Sequence, residues 1–129
     1  MNREFSLDME KRNRVLDAVS DLVREAYDNS EEHGFHKAYD DQMEAMPVEQ
    51  KRAMRRTIIL AKLGLIASEV GEAVRAVQHA DEPGLAEELA DIIIRVLDLC
   101  GSECIELGRV MLIKMQKNCN RPYLHGKEC

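Results

Sequence analysis

Tryptophan is absent from the 129 residues, and the aromatics amount to three Tyr and two Phe. Platforms for stacking single-stranded bases are therefore scarce. Positive charge is also short, since 18 Lys and Arg stand against 24 Asp and Glu for a net charge of −6. A nucleic-acid binder shows the opposite balance, gathered into a basic stripe. The local run Lys51, Arg52, Arg55 and Arg56 reads as a solvated helix turn, or as pairing with acids on the first helix. Apolar runs reach no further than the four residues 58–61, against the ~20 that a membrane span needs. The opening MNREFSLDMEKRNR holds no apolar stretch of a secretory signal. Cys100, Cys104, Cys119 and Cys129 form no C-x-x-C pair, which disfavours zinc and disulfide frameworks and suits a reducing compartment. The expectation is an acidic cytoplasmic protein, 1–129 forming one domain, with neither nucleic acid nor membrane as partner.

Proline is rare as well, and each of the three marks a break in periodicity. Pro47 and Pro83 read as helix starts, because the N–H that proline lacks has no intrahelical partner in the first turn. The apolar spacing of Val15, Val19, Leu22, Val23 and Ala26 predicts a first helix over about 7–32, with Ser6 as its cap and Gly34 as its stop. The segment 33–46 has no clear period and reads as a loop or broken helix. A second helix is expected from Pro47 to about 80, with Gly64 and Gly71 marking close helix approach. A third is expected from Pro83 to about 100, stopped by Gly101, and a fourth over about 105–118. The tail RPYLHGKEC, of which 122–129 follows the last helix, reads as non-helical. The fold class is all-α, a four-helix-bundle-like core with the irregular segment between the first two long helices.

A projection at about 100° per residue sorts the faces of the second and third helices. On the second, Ile59, Leu63, Ile66, Ala67, Val70, Ala73, Val74 and Val77 make a broad apolar stripe, read as core. Glu69 and Glu72 lie beside it, three apart and so on one side, flanked by Ile58, Ala61, Leu65 and Ala76. On the third, Leu85, Leu89, Ile92, Ile93, Val96 and Cys100 form the expected core. Glu88, Asp91, Arg95 and Asp98 run as a second stripe, with Ile94 and Leu97 beyond it. A helix apolar nearly all round is normally buried, so this polar stripe is expected inside the bundle, in a cleft or at a subunit interface.

Two acid pairs on adjacent antiparallel helices gather four carboxylates into one small volume. Like charges and burial both raise carboxylate pKa values, so such a group calls for compensation. A divalent cation supplies it, and oxygen-only ligands favour Mg²⁺, Mn²⁺ or Ca²⁺. The plainer alternative is ordinary helix surface, since Glu is a good helix former. On the fourth helix Lys114 projects into the stripe of Leu107, Val110 and Met111, with Asn118 one turn on. Lys114 either snorkels or, with Asn118, faces the anionic oxygens of a ligand.

With EVGE (Glu69, Glu72), ELAD (Glu88, Asp91) and KMQKN (Lys114, Asn118), the sequence resembles the MazG-like members of the all-α nucleoside triphosphate pyrophosphohydrolase superfamily over about 57–122. That resemblance implies hydrolysis of a nucleoside triphosphate between the α- and β-phosphates, with Mg²⁺, or else Mn²⁺, held by Glu69, Glu72, Glu88 and Asp91. It implies Glu69 or Glu72 as the base acting on water. Lys114 would meet phosphate, and Asn118 phosphate or sugar. Arg95 is expected to reach the acids or the phosphates, or to bridge to Asp98 or another acid. Relatives that select a base often use aromatics, Trp among them, before the first acid pair. Here Phe35, His36 and Tyr39 are the available substitutes, and the alternative is a loop packed on the bundle. Lys62 either approaches phosphate or is a surface lysine. The long apolar helices bury poorly in one short chain, so a homodimer or homotetramer is expected. A non-catalytic oligomerisation or regulatory module on the same scaffold is the competing reading.

Overall fold

The helical periods become α1 (Met9–Glu32), α2 (Lys37–Glu44), α3 (Val48–Gln78), α4 (Glu82–Ser102) and α5 (Leu107–Cys119). This is a computed structural model that describes residues 5 and 7–122. Among those residues there is no strand, and the chain is all-α as expected. No described helix is long and apolar enough to cross a membrane.

Local stereochemistry accounts for most of the boundaries. Ser6 and the tail beyond Pro122 lie outside the described residues, and α1 is capped by Asp8, whose Oδ1 accepts from the Lys11 N–H at 2.8 Å. Gly34 ends that helix at φ +73°, letting the Phe35 N–H reach the Ser30 carbonyl at 3.0 Å. The irregular segment is a broken helix, of which α2 is the eight-residue remnant. Pro47 sits at the N-cap of α3 with an extended ψ of 146°. Asp81 caps α4 by accepting from the Gly84 N–H at 3.0 Å, with Pro83 in the first turn.

Two expectations about glycine are corrected. Gly101 does not stop α4, which runs on to Ser102; Cys104, at φ +53°, makes the reversal, and the Ile105 N–H closes it on the Cys100 carbonyl at 2.9 Å. Gly101 instead admits the neighbouring helix, since a Cβ there would meet the Cβ of Tyr27 at 2.7 Å. Gly64 and Gly71 mark no close approach, for nothing among the described residues lies within 4 Å of a Cβ built at either.

The chain divides into two compact units. One joins the residues up to Leu22 to those from Glu106 on. Within it α5 buries Gly108 and Leu112, one turn apart, and Gly108 faces Val19 and Leu16 of α1. The expected α5 stripe is therefore displaced: Val110 and Met111 are exposed, and so is Lys114.

The other unit, Val23–Ile105, holds the rest of α1, with α2, α3 and α4. Here α3 and α4 form an antiparallel hairpin. The face of α3 that is covered matches the predicted stripe only in part, through Ala73 and the half-buried Ile59 and Ile66. Ala73 and Ala76 are buried and Ile58, Glu69 and Glu72 half-buried, whereas Leu63, Val70, Val74 and Val77 are exposed. The reason is that α3 is apolar on several sides, so hydrophobic period alone did not choose among them. On α4 Leu97 and Cys100 are buried, while Leu89 and Ile93 are exposed.

Candidate functional site

The covered face of α3 therefore carries the first acids, and α4 brings the second pair against them. Ligand oxygens of Glu69, Glu88 and Asp91 all lie within 4.8 Å of one another. Glu69 is 15% exposed, and its Oε1 accepts from the Arg95 Nε at 2.6 Å. Arg95 thus bridges to an acid across the hairpin, and the acid is Glu69 instead of Asp98. The Glu88 carboxyl is held above the ordinary glutamate value. Burial disfavours its charge, hydrogen bonding to Glu69 stabilises the proton, and the charges of Glu69, Asp91 and Glu72 add to the effect.

The fourth acid stands apart. Glu72 Oε1 accepts from Arg75 Nη2 at 2.8 Å, a pairing with the next turn of the same helix. Three of the four expected carboxylates are brought together, and Glu72 is not among them. Lys114 and Asn118 lie on α5, in the other unit, and both are exposed there.

Beside the acids is a cavity of about 350 Å³ that includes Asp91 and Arg95 together with Phe35, His36, Tyr39 and Asp98. Phe35 is mostly exposed, its ring 6.4 Å from that of His33. His36 is the buried polar residue of the chain's described part, at 5% exposure. Its Nε2 lies 2.8 Å from Asp98 Oδ1 and its Nδ1 3.2 Å from Lys62 Nζ, while Tyr27 stacks on the ring at 4.9 Å. Burial and the nearby acids Glu31, Asp40 and Asp98 push the Tyr27 hydroxyl above its usual value.

Sequence reasoning named Phe35 and His36 but missed what His36 binds. Asp98 was visible only as a member of the polar stripe, and 62 residues separate it from His36. Lys62 is half-buried, donating also to Ser102 Oγ at 3.0 Å, so it is not a free surface lysine. Its one sequence signal was its place two turns before Glu69, on the same side of α3.

A family model described as the MazG nucleotide pyrophosphohydrolase domain matches residues 59–125. No curated protein matches the chain, and no solved structure does.

Proposed function

The chain belongs to the MazG nucleotide pyrophosphohydrolase family, and from that membership we propose that it hydrolyses nucleoside triphosphates between the α- and β-phosphates. The products are a nucleoside monophosphate and pyrophosphate. The observation that carries the reading is the convergence of Glu69, Glu88 and Asp91 from two helices onto one point. Three carboxylate oxygens at that spacing, with the Glu88 carboxyl raised above its ordinary value by burial and the neighbouring acids, fit a divalent cation. Their all-oxygen chemistry favours Mg²⁺ or Mn²⁺ over softer metals. Such an ion, when bound, neutralises phosphate charge and polarises the phosphorus.

The chain's own residues supply the remainder. Glu72, whose carboxylate is outside the three-acid cluster, accepts the proton of the attacking water as its oxygen bonds to the α-phosphorus and pyrophosphate leaves. Arg95, held beside the acids by Glu69, offers its remaining guanidinium hydrogens to phosphate oxygens. On the family pattern alone, Lys114 is assigned to phosphate and Asn118 to phosphate or sugar. Phe35 and His36 line the cavity that would receive the rest of the nucleotide.

The working form is proposed to be a homodimer or homotetramer. Among the described residues only Ala73, Ala76, Leu97, Cys100 and Leu112 are buried apolar side chains. Leu63, Val70, Val74 and Val77 share one exposed side of α3, and contiguous exposed apolar surface of this kind marks an interface.

Purified protein with MgCl₂ and a panel of deoxynucleoside triphosphates is expected to release pyrophosphate. Glu72→Gln and Asp91→Asn are each expected to abolish release while leaving the far-UV circular dichroism helical. Absence of turnover on every nucleotide, or undiminished turnover in both variants, favours the non-catalytic module instead.

A further inference from the structure

One wall of the cavity is built from an ordered chain of polar groups that the hydrolysis itself does not use. An ammonium has hydrogens to give and no lone pair, so Lys62 donates to His36 Nδ1 and fixes that nitrogen as the acceptor. His36 then carries its hydrogen on Nε2 and donates it to Asp98 Oδ1. Burial of the ring and the stacked Tyr27 hold this arrangement in place. One oxygen of Asp98 is thereby committed. The other, Oδ2, accepts no hydrogen bond from the described residues, although the side chain is only 17% exposed and lines the cavity. A carboxylate in a cavity wall, anchored through one oxygen, keeps the other as an acceptor for whatever fills the space.

The space itself suits a flat heterocycle. Its volume of about 350 Å³ falls in the range of roughly 300–1,000 Å³ usual for small-molecule sites. Phe35, Tyr39, Leu65 and Ile94 give it aromatic and aliphatic walls, and Asp91 and Arg95 make it continuous with the acid cluster.

We propose that this cavity seats the base of the nucleotide and that Asp98 selects bases bearing an exocyclic amino group, namely cytosine, adenine and guanine, over uracil and thymine. The inference rests on the nucleotide reading above and narrows its substrate class. An amino group turns a donor toward the open oxygen. Uracil and thymine offer a single ring N–H flanked by two carbonyl oxygens, which a carboxylate repels. Selectivity then comes as much from the repulsion as from the bond.

The test is calorimetric titration of the full chain, in MgCl₂, with dCMP, dAMP, dGMP, dTMP and dUMP. Monophosphates have no α–β bond to cleave, so binding is read without turnover. The three amino-bearing ligands are expected to bind at least about tenfold tighter than dTMP and dUMP, the scale of a charge-assisted hydrogen bond. Asp98→Asn keeps an oxygen for His36 and replaces the open acceptor with an N–H₂ donor. Its preference ratio is expected to collapse or invert toward dTMP and dUMP. Loss of His36 positioning alone weakens all five ligands alike and leaves the ratio unmoved. Equal or tighter binding of dTMP or dUMP by the unmodified chain overturns the proposal, whether or not the variant folds, and so does an unchanged ratio in the variant. Pyrophosphate release from triphosphates with no discrimination among bases refutes the base seat and leaves the hydrolase reading intact. Selective monophosphate binding without any pyrophosphate release does the reverse.

Discussion

Replacing Gly101 by Ala puts a methyl group where the structure has no room for one. The new Cβ would lie 2.7 Å from the Tyr27 Cβ and 3.1 Å from two of its ring carbons. Turning the Tyr27 ring does not relieve the first contact, because a Cβ is fixed to its own backbone, so α1 and α4 must part. Overpacking of this kind costs about 1–3 kcal/mol, and the better helix propensity of Ala returns about 1 kcal/mol. The net is a loss of roughly 0–2 kcal/mol, and at about 4 °C per kcal/mol for a chain of this length the melting temperature falls by up to ~8 °C. The same substitution at Gly64 and Gly71, where nothing described lies within 4 Å, carries the propensity gain alone and raises it by up to ~4 °C each. Thermal melts by far-UV circular dichroism on the three variants make the comparison. Because Tyr27 stacks on His36, the Gly101 variant is also expected to bind nucleotide more weakly. A Gly101→Ala protein as stable as Gly64→Ala would refute the packing described between α1 and α4.

Three further outcomes are expected. Glu88 holds its proton above the ordinary value of 4.5, so the folded metal-free protein binds that proton more tightly than the unfolded chain; its contribution to stability is complete below about 4.5 and is lost as pH rises through the raised value. Glu88→Gln should flatten the pH dependence of the metal-free melting temperature above about pH 4.5 and reduce the stabilisation by Mg²⁺, and an unchanged profile would contradict the assignment. Val70→Asp combined with Val74→Asp places charge on the exposed side of α3 and should shift equilibrium sedimentation to the monomer, and an unchanged oligomer would rule that side out as the interface. Ala80 occupies the left-handed region at φ +53°, where a Cβ costs roughly 1–2 kcal/mol, so Ala80→Gly should raise the urea midpoint, and a lowered midpoint would exclude strain there.

What could be read from the sequence was what neighbouring residues decide among themselves. Pro47, Pro83 and Gly34 marked helix ends because their backbone preferences act locally. Gly101 was misread by the same logic: its local tendency to end a helix yielded to the approach of Tyr27, which no spacing announces. The acid pairs were legible as i, i+3 repeats, yet Glu72 has Arg75 at the same spacing and pairs with it, while the cluster is made by the other three acids. The face of α3 was ambiguous because apolar residues surround it. His36 and Asp98 meet only through the tertiary fold, and neither residue's neighbours foretold the other.

The Arg95–Glu69 contact has a consequence for how the acid cluster exists without metal. One of its three carboxylates, Glu69, is already paired with a guanidinium at 2.6 Å, and burial and the neighbouring acids raise the proton affinity of Glu88. The cluster is folded around a provisional counter-ion carried by its own chain, which spares the hairpin the full repulsion of three bare acids. A divalent cation filling it would compete with Arg95 for Glu69 and with the proton for Glu88. Metal loading would in that case loosen a guanidinium that also lines the cavity.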